Sequence, residues 1–321
     1  MSHLRLNPLT GRWVAIATER ASRPGDFAPG AGLHQPAARC PFCPGHEEET
    51  PPALETYGRS GEWLVRVVPN LYPAFEGRGA FEVEDLGPVF HQAPGTGIHE
   101  VLVFSPDHRA SWADLDDKQT GLVISAVRDR MEVHAEQVSV RYTQMIVNHG
   151  REAGASLEHP HGQLLGIPFV PEELQAELEG FADRDEPCLL CTTLEEEARA
   201  EERVLLADGR VMAVCPFWSA TPYEVLIVPR SHEAHLARAA PPDLVAVSRA
   251  VRDSLAALGR LVGDCAYNVV FHTAPHESTD RFHWHVHVLP RLTSAAGFEA
   301  GTGVRINIVA PEQAALDLRL A

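Results

Sequence analysis

The chain has 321 residues, which is enough for two domains with separate cores, and its hydrophobic content of 45% is ordinary for a globular protein. The formal net charge of −17 argues against a nucleic-acid partner, although a nucleotide needs only a local cluster of donors. The N-terminus lacks the apolar core of a signal peptide, and no run of about 18 apolar residues predicts a membrane span, so a cytoplasmic protein is expected.

The first predicted strand runs from Trp13 to Ala17, after a turn marked by Asn-Pro and Thr-Gly. Arg20 and Arg23 follow it and precede a stretch rich in proline and glycine. Arginine side chains suit phosphate oxygens and stack on bases, but the residues alone favour a solvated surface pair.

Cys40 and Cys43 form a Cys-x-x-Cys pair. Two thiolates at this spacing are half of a tetrahedral zinc site. A redox pair is the alternative, but no thioredoxin-like βαβ pattern surrounds it. Residues 76–97, rich in glycine and polar side chains, predict a surface loop, and the apolar spacing in residues 112–137 predicts a helix.

Residues 145–167 predict a strand, a glycine-rich loop and a second strand. On an extended segment His159, His161 and Gln163 project to the same side, and Pro160 stiffens the chain between the imidazoles. A neutral imidazole can attack phosphorus, an amide can hold an oxygen of the adduct, and loop N–H groups can hold the others. The His-Pro-His triplet also suits two metal ligands or a stiff loop.

The second half of the sequence repeats the first. Four features recur in the same order, three of them at one constant offset along the chain. The pairs are Cys40-x-x-Cys43 with Cys188-x-x-Cys191, His108 with His232, His159 and His161 with His283 and His285, and Asn148 with His272. The repeat is longer than a solenoid unit, so it predicts a tandem duplication with domains at residues 1–172 and 173–321.

Each half has several predicted strands and one amphipathic helix, at residues 112–137 and about 243–261. This pattern predicts an α+β fold in which antiparallel sheets have helices packed on one face.

The repeat also predicts further metal ligands. Cys188, Cys191, His232 and His283 would form a second zinc site, with a remnant knuckle of buried free cysteines as the alternative. His283, His285 and His287 alternate on a predicted strand and therefore share a face. His161 and His285 are accordingly both candidate nucleophiles.

The motif Ser156-x-x-His159-Pro-His161-Gly-Gln163 resembles the active-site signature of galactose-1-phosphate uridylyltransferases. These enzymes are a branch of the histidine-triad superfamily of nucleotidyl transferases and hydrolases, and the resemblance covers essentially the whole chain. It implies that His161 is the nucleophile and that Gln163 and Ser156 hold the phosphoryl oxygens of a covalent uridylyl-histidine.

The resemblance implies ligand sets as well. Zinc would be bound by Cys40, Cys43, His108 and His159. The substrate would be contacted by Arg20, Arg23, Asn70 and Asn148. A second, structural metal, iron or zinc, would be bound by Glu177, His272, His285 and His287. Because the family tends to be dimeric, a homodimer is expected.

The expected function is exchange of a uridylyl group between UDP-glucose and galactose 1-phosphate, that is, between a UDP-sugar and a hexose 1-phosphate. Catalysis is expected at His161, because the second copy lacks the amide and hydroxyl donors that hold a phosphoryl group. One alternative is a related enzyme: an ADP-sugar adenylyltransferase or phosphorylase, a dinucleoside polyphosphate phosphorylase, or a nucleotide hydrolase using His285. Another alternative is a non-enzymatic, zinc-bound nucleotide-binding module.

Overall fold

The structure is a computed structural model that describes residues 2–22, 36–59, 61–182, 187–278 and 281–321. Among these residues, no helix is both long and apolar enough to cross a bilayer. Arg23, a predicted substrate contact, lies outside the described residues.

The described part is a mixed α and β structure, as the sequence predicts. Its strands are β1 His3–Leu6, β2 Trp13–Ile16, β3 Glu55–Arg59, β4 Glu62–Pro69, β5 Glu84–Asp85, β6 His91–Gln92, β7 Ile98–Val103, β8 Tyr142–His149, β9 His161–Ile167, β10 Val204–Ala207, β11 Val211–Val214, β12 Val225–Pro229, β13 Tyr267–His272, β14 His285–Pro290 and β15 Arg305–Asn307. Its α-helices are α1 Asp117–Ala135, α2 Glu172–Ala182, α3 Leu189–Ala200, α4 Pro241–Val262, α5 Gly297–Thr302 and α6 Pro311–Leu320.

Ten of the strands form one antiparallel sheet in the order β10-β11-β12-β14-β13-β8-β9-β7-β4-β3. Corresponding strands of the two halves follow each other outward from the central contact between β8 and β13. At that contact Val147 pairs with Val269 and Asn148 pairs with Asn268. The two copies therefore lie side by side in a continuous sheet. The remaining strands form a three-stranded sheet, β1-β2-β15, and a two-stranded sheet, β5-β6.

The two long helices pack against the same face of the large sheet and close the main core. Helix α1 begins after Asp116, whose side chain accepts a hydrogen bond from the backbone N–H of Gln119 at 2.7 Å, and α4 has proline in its first turn. Their apolar sides meet the inward side chains of strands from both halves. The opposite face carries two smaller apolar clusters, one with side chains of α2 and α3 and one around Cys40 and Cys43, and His161 and Gln163 lie on this face as well.

Two glycines shape the segment that carries the His-Pro-His motif. Gly150 has a φ of +81°, and a Cβ there would lie 2.7 Å from the Ala266 side chain. Gly162 lies between His161 and Gln163, and a Cβ on it would lie 2.6 Å from Met145. Glycine at position 162 thus lets β9 pack closely against the core, while the side chains of His161 and Gln163 project from the other face of the sheet.

Candidate active site and metal centres

A pocket of about 390 Å³ opens beside the start of β9, on the face of the sheet opposite α1 and α4. Its wall includes His161, Gln163 and Ser156 from the predicted signature, together with Asn70 from the end of β4. Phe42, from the Cys-x-x-Cys turn, packs on the His161 ring with centroids 5.4 Å apart. The pocket therefore combines an imidazole, two amides and a hydroxyl with apolar walls.

The tautomer of His161 is fixed by the chain itself. Its Nδ1 lies 2.7 Å from the backbone carbonyl oxygen of His159, which can only accept a hydrogen bond. Nδ1 therefore carries the proton, and Nε2 keeps its lone pair. Burial lowers the pKa of His161, against the opposing effect of the carbonyl hydrogen bond. The ring is therefore neutral near pH 7, the state that a nucleophile requires.

The other predicted substrate contacts lie at different distances from this pocket. Asn148 is the residue after Val147, which pairs with Gly162, so it lies beside His161 on the neighbouring strand. Arg20 belongs to a short 3-10 helix, Thr18–Ser22, and is not among the described side chains of the pocket wall. The roles of Arg20, Asn70 and Asn148 stay predictions.

The first predicted zinc ligands come together in the folded chain. The ligand atoms of Cys40, Cys43, His108 and His159 lie within 4.8 Å of one another, and all four residues are buried. Cys43 Sγ lies 3.3 Å from His108 Nδ1 and 3.6 Å from His159 Nδ1. With zinc–sulfur bonds of about 2.3 Å and zinc–nitrogen bonds of about 2.0 Å at tetrahedral angles, sulfur and nitrogen ligands lie about 3.5 Å apart. The arrangement therefore fits zinc.

Electrostatics of the first cluster also favour a cation. Burial, and then the neighbouring Cys40, raise the pKa of Cys43 to about 11, so a bound cation is needed for the Cys43 thiol to ionise near pH 7. His159 Nε2 donates to the Ser105 carbonyl at 2.8 Å, which leaves Nδ1 free to ligate.

The second-half knuckle repeats this geometry. The ligand atoms of Cys188, Cys191, His232 and His283 also lie within 4.8 Å of one another. The sulfur–nitrogen distances range from 3.6 Å to 3.8 Å. His283 Nε2 donates to the Pro229 carbonyl at 2.9 Å, as His159 donates to Ser105. This set fits zinc by the same test, although His232 is exposed and the cysteines are only partly buried.

A third cluster consists of Glu177, His272, His285 and His287. Glu177 comes from α2, which follows the first half and folds back over the second-half strands. The Glu177 oxygens lie 2.9 Å from His272 Nδ1, and one lies 3.8 Å from His285 Nε2. His285 Nε2 is buried and has no hydrogen-bond partner among the described residues. One carboxylate and three imidazoles, one of them with an unused Nε2, form a ligand set that fits iron or zinc.

Hydrogen bonds to the ring nitrogens of the third cluster fix which nitrogen of each imidazole can bind a metal. His285 Nδ1 donates to the His283 carbonyl at 2.8 Å, and His287 Nδ1 lies 3.1 Å from Glu224 Oε1. Both rings therefore keep Nε2 available. Burial would raise the pKa of Glu177, but His272 and His285 outweigh it and lower that pKa strongly. The carboxylate is thus ionised and suited to a cation.

Several side chains at these sites were not identified from the sequence. His99 on β7 lies 2.8 Å from Gln163, Asn268 on β13 lies 2.7 Å from Asn148, and Glu224 faces His287. None of them belongs to a recognisable motif, because each contact depends on strand register. Phe42 lay inside the Cys-x-x-Cys motif and could have been identified there.

Comparison with known families agrees with this architecture. The family model described as galactose-1-phosphate uridyl transferase, N-terminal domain, matches residues 1–171. A second model, a domain of unknown function (DUF4921), matches residues 106–318.

Individual relatives cover almost the whole chain. An ADP-glucose phosphorylase of Arabidopsis thaliana is 32% identical over 98% of this chain and 92% of its own length. A galactose-1-phosphate uridylyltransferase of Thermotoga maritima is 29% identical over 99% of this chain and 98% of its own. The crystal structure of an Arabidopsis thaliana ADP-glucose phosphorylase with bound ADP-glucose superposes with a TM-score of 0.86 at 30% identity, covering 100% of this chain and 99% of the other.

Proposed function

The chain belongs to the galactose-1-phosphate uridyl transferase family, and from that premise we propose that it transfers a uridylyl group from a UDP-hexose to a hexose 1-phosphate through a covalent intermediate on His161. The observation that carries this proposal is the hydrogen bond from His161 Nδ1 to the His159 carbonyl, which leaves Nε2 as a neutral nucleophile in the pocket wall. The specific substrates proposed are UDP-glucose and galactose 1-phosphate.

The chemistry proceeds in two displacements. The Nε2 lone pair attacks the α-phosphorus, the Nε2–P bond forms, and the bond from phosphorus to the bridging oxygen breaks, so glucose 1-phosphate leaves with that electron pair. A phosphate oxygen of the second hexose 1-phosphate then attacks the same phosphorus and Nε2 leaves. No proton need be exchanged, because the proton stays on Nδ1, which donates to the His159 carbonyl throughout.

The side chains of this pocket support each step. Gln163 and Ser156 are proposed to donate to the phosphoryl oxygens, where charge accumulates during attack. Zinc, when bound by Cys40, Cys43, His108 and His159, would supply a structural cross-link that fixes the His159 backbone. The His159 carbonyl in turn orients the His161 ring.

A second candidate is supported by the relatives. Because the Arabidopsis relative at 32% identity is an ADP-glucose phosphorylase, the same His161 chemistry would serve an adenylyl group with inorganic phosphate as the acceptor. None of the contacts described above reads a base, so the two candidates differ in substrate and share the nucleophile.

One experiment separates these candidates. The protein is incubated with UDP-glucose or ADP-glucose labelled at the α-phosphorus, and acid-labile, base-stable protein label and glucose 1-phosphate are measured. Label from UDP-glucose that is discharged by galactose 1-phosphate supports uridylyl transfer. Label only from ADP-glucose, discharged by phosphate, supports the phosphorylase. A nucleotide-binding module without activity would give no label from either.

A further inference from the structure

Two carboxamides, those of Gln163 and Asn148, flank His161 on the face of the sheet opposite α1 and α4. A carboxamide can present either its oxygen or its NH₂ group, and only the NH₂ group attracts a phosphoryl oxygen. Here the hydrogen-bond partners decide the orientation, since each chain of contacts ends in a group that can only donate or only accept.

The orientation of Gln163 is decided through His99. The backbone N–H of Ala74 lies 3.0 Å from His99 Nδ1 and can only donate, so Nδ1 is the acceptor. A neutral imidazole then carries its proton on Nε2, which lies 2.8 Å from Gln163 Oε1. Gln163 therefore accepts with its oxygen and keeps its NH₂ group free. Asn70 Oδ1 accepts from the Tyr72 N–H at 2.9 Å, so Asn70 Nδ2 faces the same Nε2 at 3.0 Å as a second donor and makes no hydrogen bond to it in this tautomer.

The orientation of Asn148 is decided through the buried Asn268. Asn268 Oδ1 lies 2.5 Å from Arg291 Nε, which can only donate. Its Nδ2 lies 2.9 Å from the Ala153 carbonyl, which can only accept, and 2.7 Å from Asn148 Oδ1. Both ends of Asn268 are thereby fixed, and Asn148 must turn its oxygen toward Asn268 and its NH₂ group away from it.

We propose that His99, and Asn268 together with Arg291, are positioning residues that hold the NH₂ groups of Gln163 and Asn148 toward the phosphoryl group carried by His161. This proposal rests on the proposed function of the site. Because the carbonyl oxygens are engaged, the phosphoryl oxygens meet donors that need no reorientation during attack. Asn268 and Arg291 belong to the second half of the chain, so that half contributes to the first-half site across the β8–β13 contact.

The first test compares two replacements of His99. In His99→Gln the amide nitrogen occupies the place of Nε2 and can still donate to Gln163, whereas in His99→Asn no donor reaches that far. We expect His99→Asn to slow single-turnover labelling about 10- to 100-fold with little change in KM, and His99→Gln to restore most of the rate. His91→Asn, on the exposed strand β6, is the matched control and should not change the rate. Equal rates for the two His99 variants would overturn the proposal.

Two double-mutant cycles separate positioning from general damage. If His99 acts through Gln163, adding His99→Asn to Gln163→Ala costs nothing further, whereas a structural role lowers both backgrounds equally. Asn268→Asp replaces the amide nitrogen with an oxygen that faces Asn148 and the Ala153 carbonyl, so it should slow labelling by a clearly larger factor in the wild-type background than in Asn148→Ala, where only the Ala153 contact is lost. Additive losses in both cycles would refute the positioning role. A wild-type protein that forms no label would instead refute the proposed function.

Discussion

His161 and His285 occupy corresponding positions in the two halves and are held in the same way, each by a hydrogen bond from Nδ1 to the carbonyl two residues earlier, at 2.7 Å and 2.8 Å. Their surroundings differ. Beside His161 lie the amides of Gln163 and Asn148, whereas the corresponding places beside His285 are taken by His287 and His272. Glu177 from α2 adds a carboxylate only to the second group.

The difference suits the two sites, which share one backbone arrangement, to ligands of opposite charge. Amide NH₂ groups and a hydroxyl present protons, which suit an anionic phosphoryl group. Imidazole lone pairs and an ionised carboxylate suit a cation, and the orphaned His285 Nε2 points to the same conclusion. Replacing two amides by imidazoles and adding Glu177 is the change that separates the two sites.

The largest expected effect concerns the nucleophile. We expect His161→Ala to abolish covalent labelling by a nucleoside diphosphate hexose, because it removes the imidazole proposed to attack phosphorus. We expect His285→Ala to keep the label and lower the metal content. Label and metal are measured on the same preparations. Label that survives in His161→Ala but disappears in His285→Ala would mean that the halves have been assigned the wrong way round.

The next effect concerns the residues that follow each histidine. We expect Gln163→Ala to lower the rate of labelling about 10²- to 10³-fold, the usual cost of one donor to a developing oxyanion. His287→Gln, which places an amide at the corresponding position of the second half, should leave that rate unchanged and reduce metal bound at the third cluster. Equal rate losses in the two variants would remove the distinction between the sites.

A smaller difference is expected between variants of the two Cys-x-x-Cys pairs. Cys40→Ser and Cys188→Ser should each lose one zinc, and each loss should lower the free energy of unfolding by an amount on the order of several kcal/mol. Cys40→Ser should also slow labelling, because His159 holds His161 through its carbonyl. Metal analysis that still shows the wild-type zinc content in Cys40→Ser would contradict the first ligand set.

The smallest effect expected on chemistry is that of Glu177→Gln. The substitution leaves the partly buried His272 without the buried carboxylate of Glu177, and breaking such a pair costs about 3 kcal/mol of folding stability. The rate of labelling at His161 should stay within about twofold of the wild-type rate, because Glu177 belongs to the third cluster and is not proposed to contact the phosphoryl group. Urea unfolding and single-turnover assays check the two parts. A large loss of labelling at unchanged stability would place Glu177 in the reaction and not in a metal site.

Much of the fold could be predicted from the sequence. The helix predicted at residues 112–137 is α1 with a short 3-10 helix, Trp112–Asp114, before it, and the helix at about 243–261 is α4. These elements depend on local periodicity and capping, which the sequence carries directly. The boundary at residues 172 and 173 stays a prediction.

The site was predictable only where its residues form motifs. Cysteine spacing indicated the two Cys-x-x-Cys pairs, and the repeat predicted the second-half ligand set of Cys188, Cys191, His232 and His283. The histidines of the first set and the whole third cluster were implied by the family resemblance. His99, Asn268 and Arg291 were not predictable, since their relation to Gln163 and Asn148 arises from the register of β7 with β9 and of β13 with β8. Registers between strands distant along the chain are not encoded in a local pattern.

The continuous sheet has a consequence for what each copy is free to become. In a symmetric homodimer every substitution appears twice, so both sites must keep the same chemistry. Here the two copies belong to one chain and pair through β8 and β13. Each copy can therefore accumulate its own substitutions while the other copy stays beside it at a fixed geometry. Covalent fusion thus releases the pair from symmetry, and one copy can lose its reaction and still support the other.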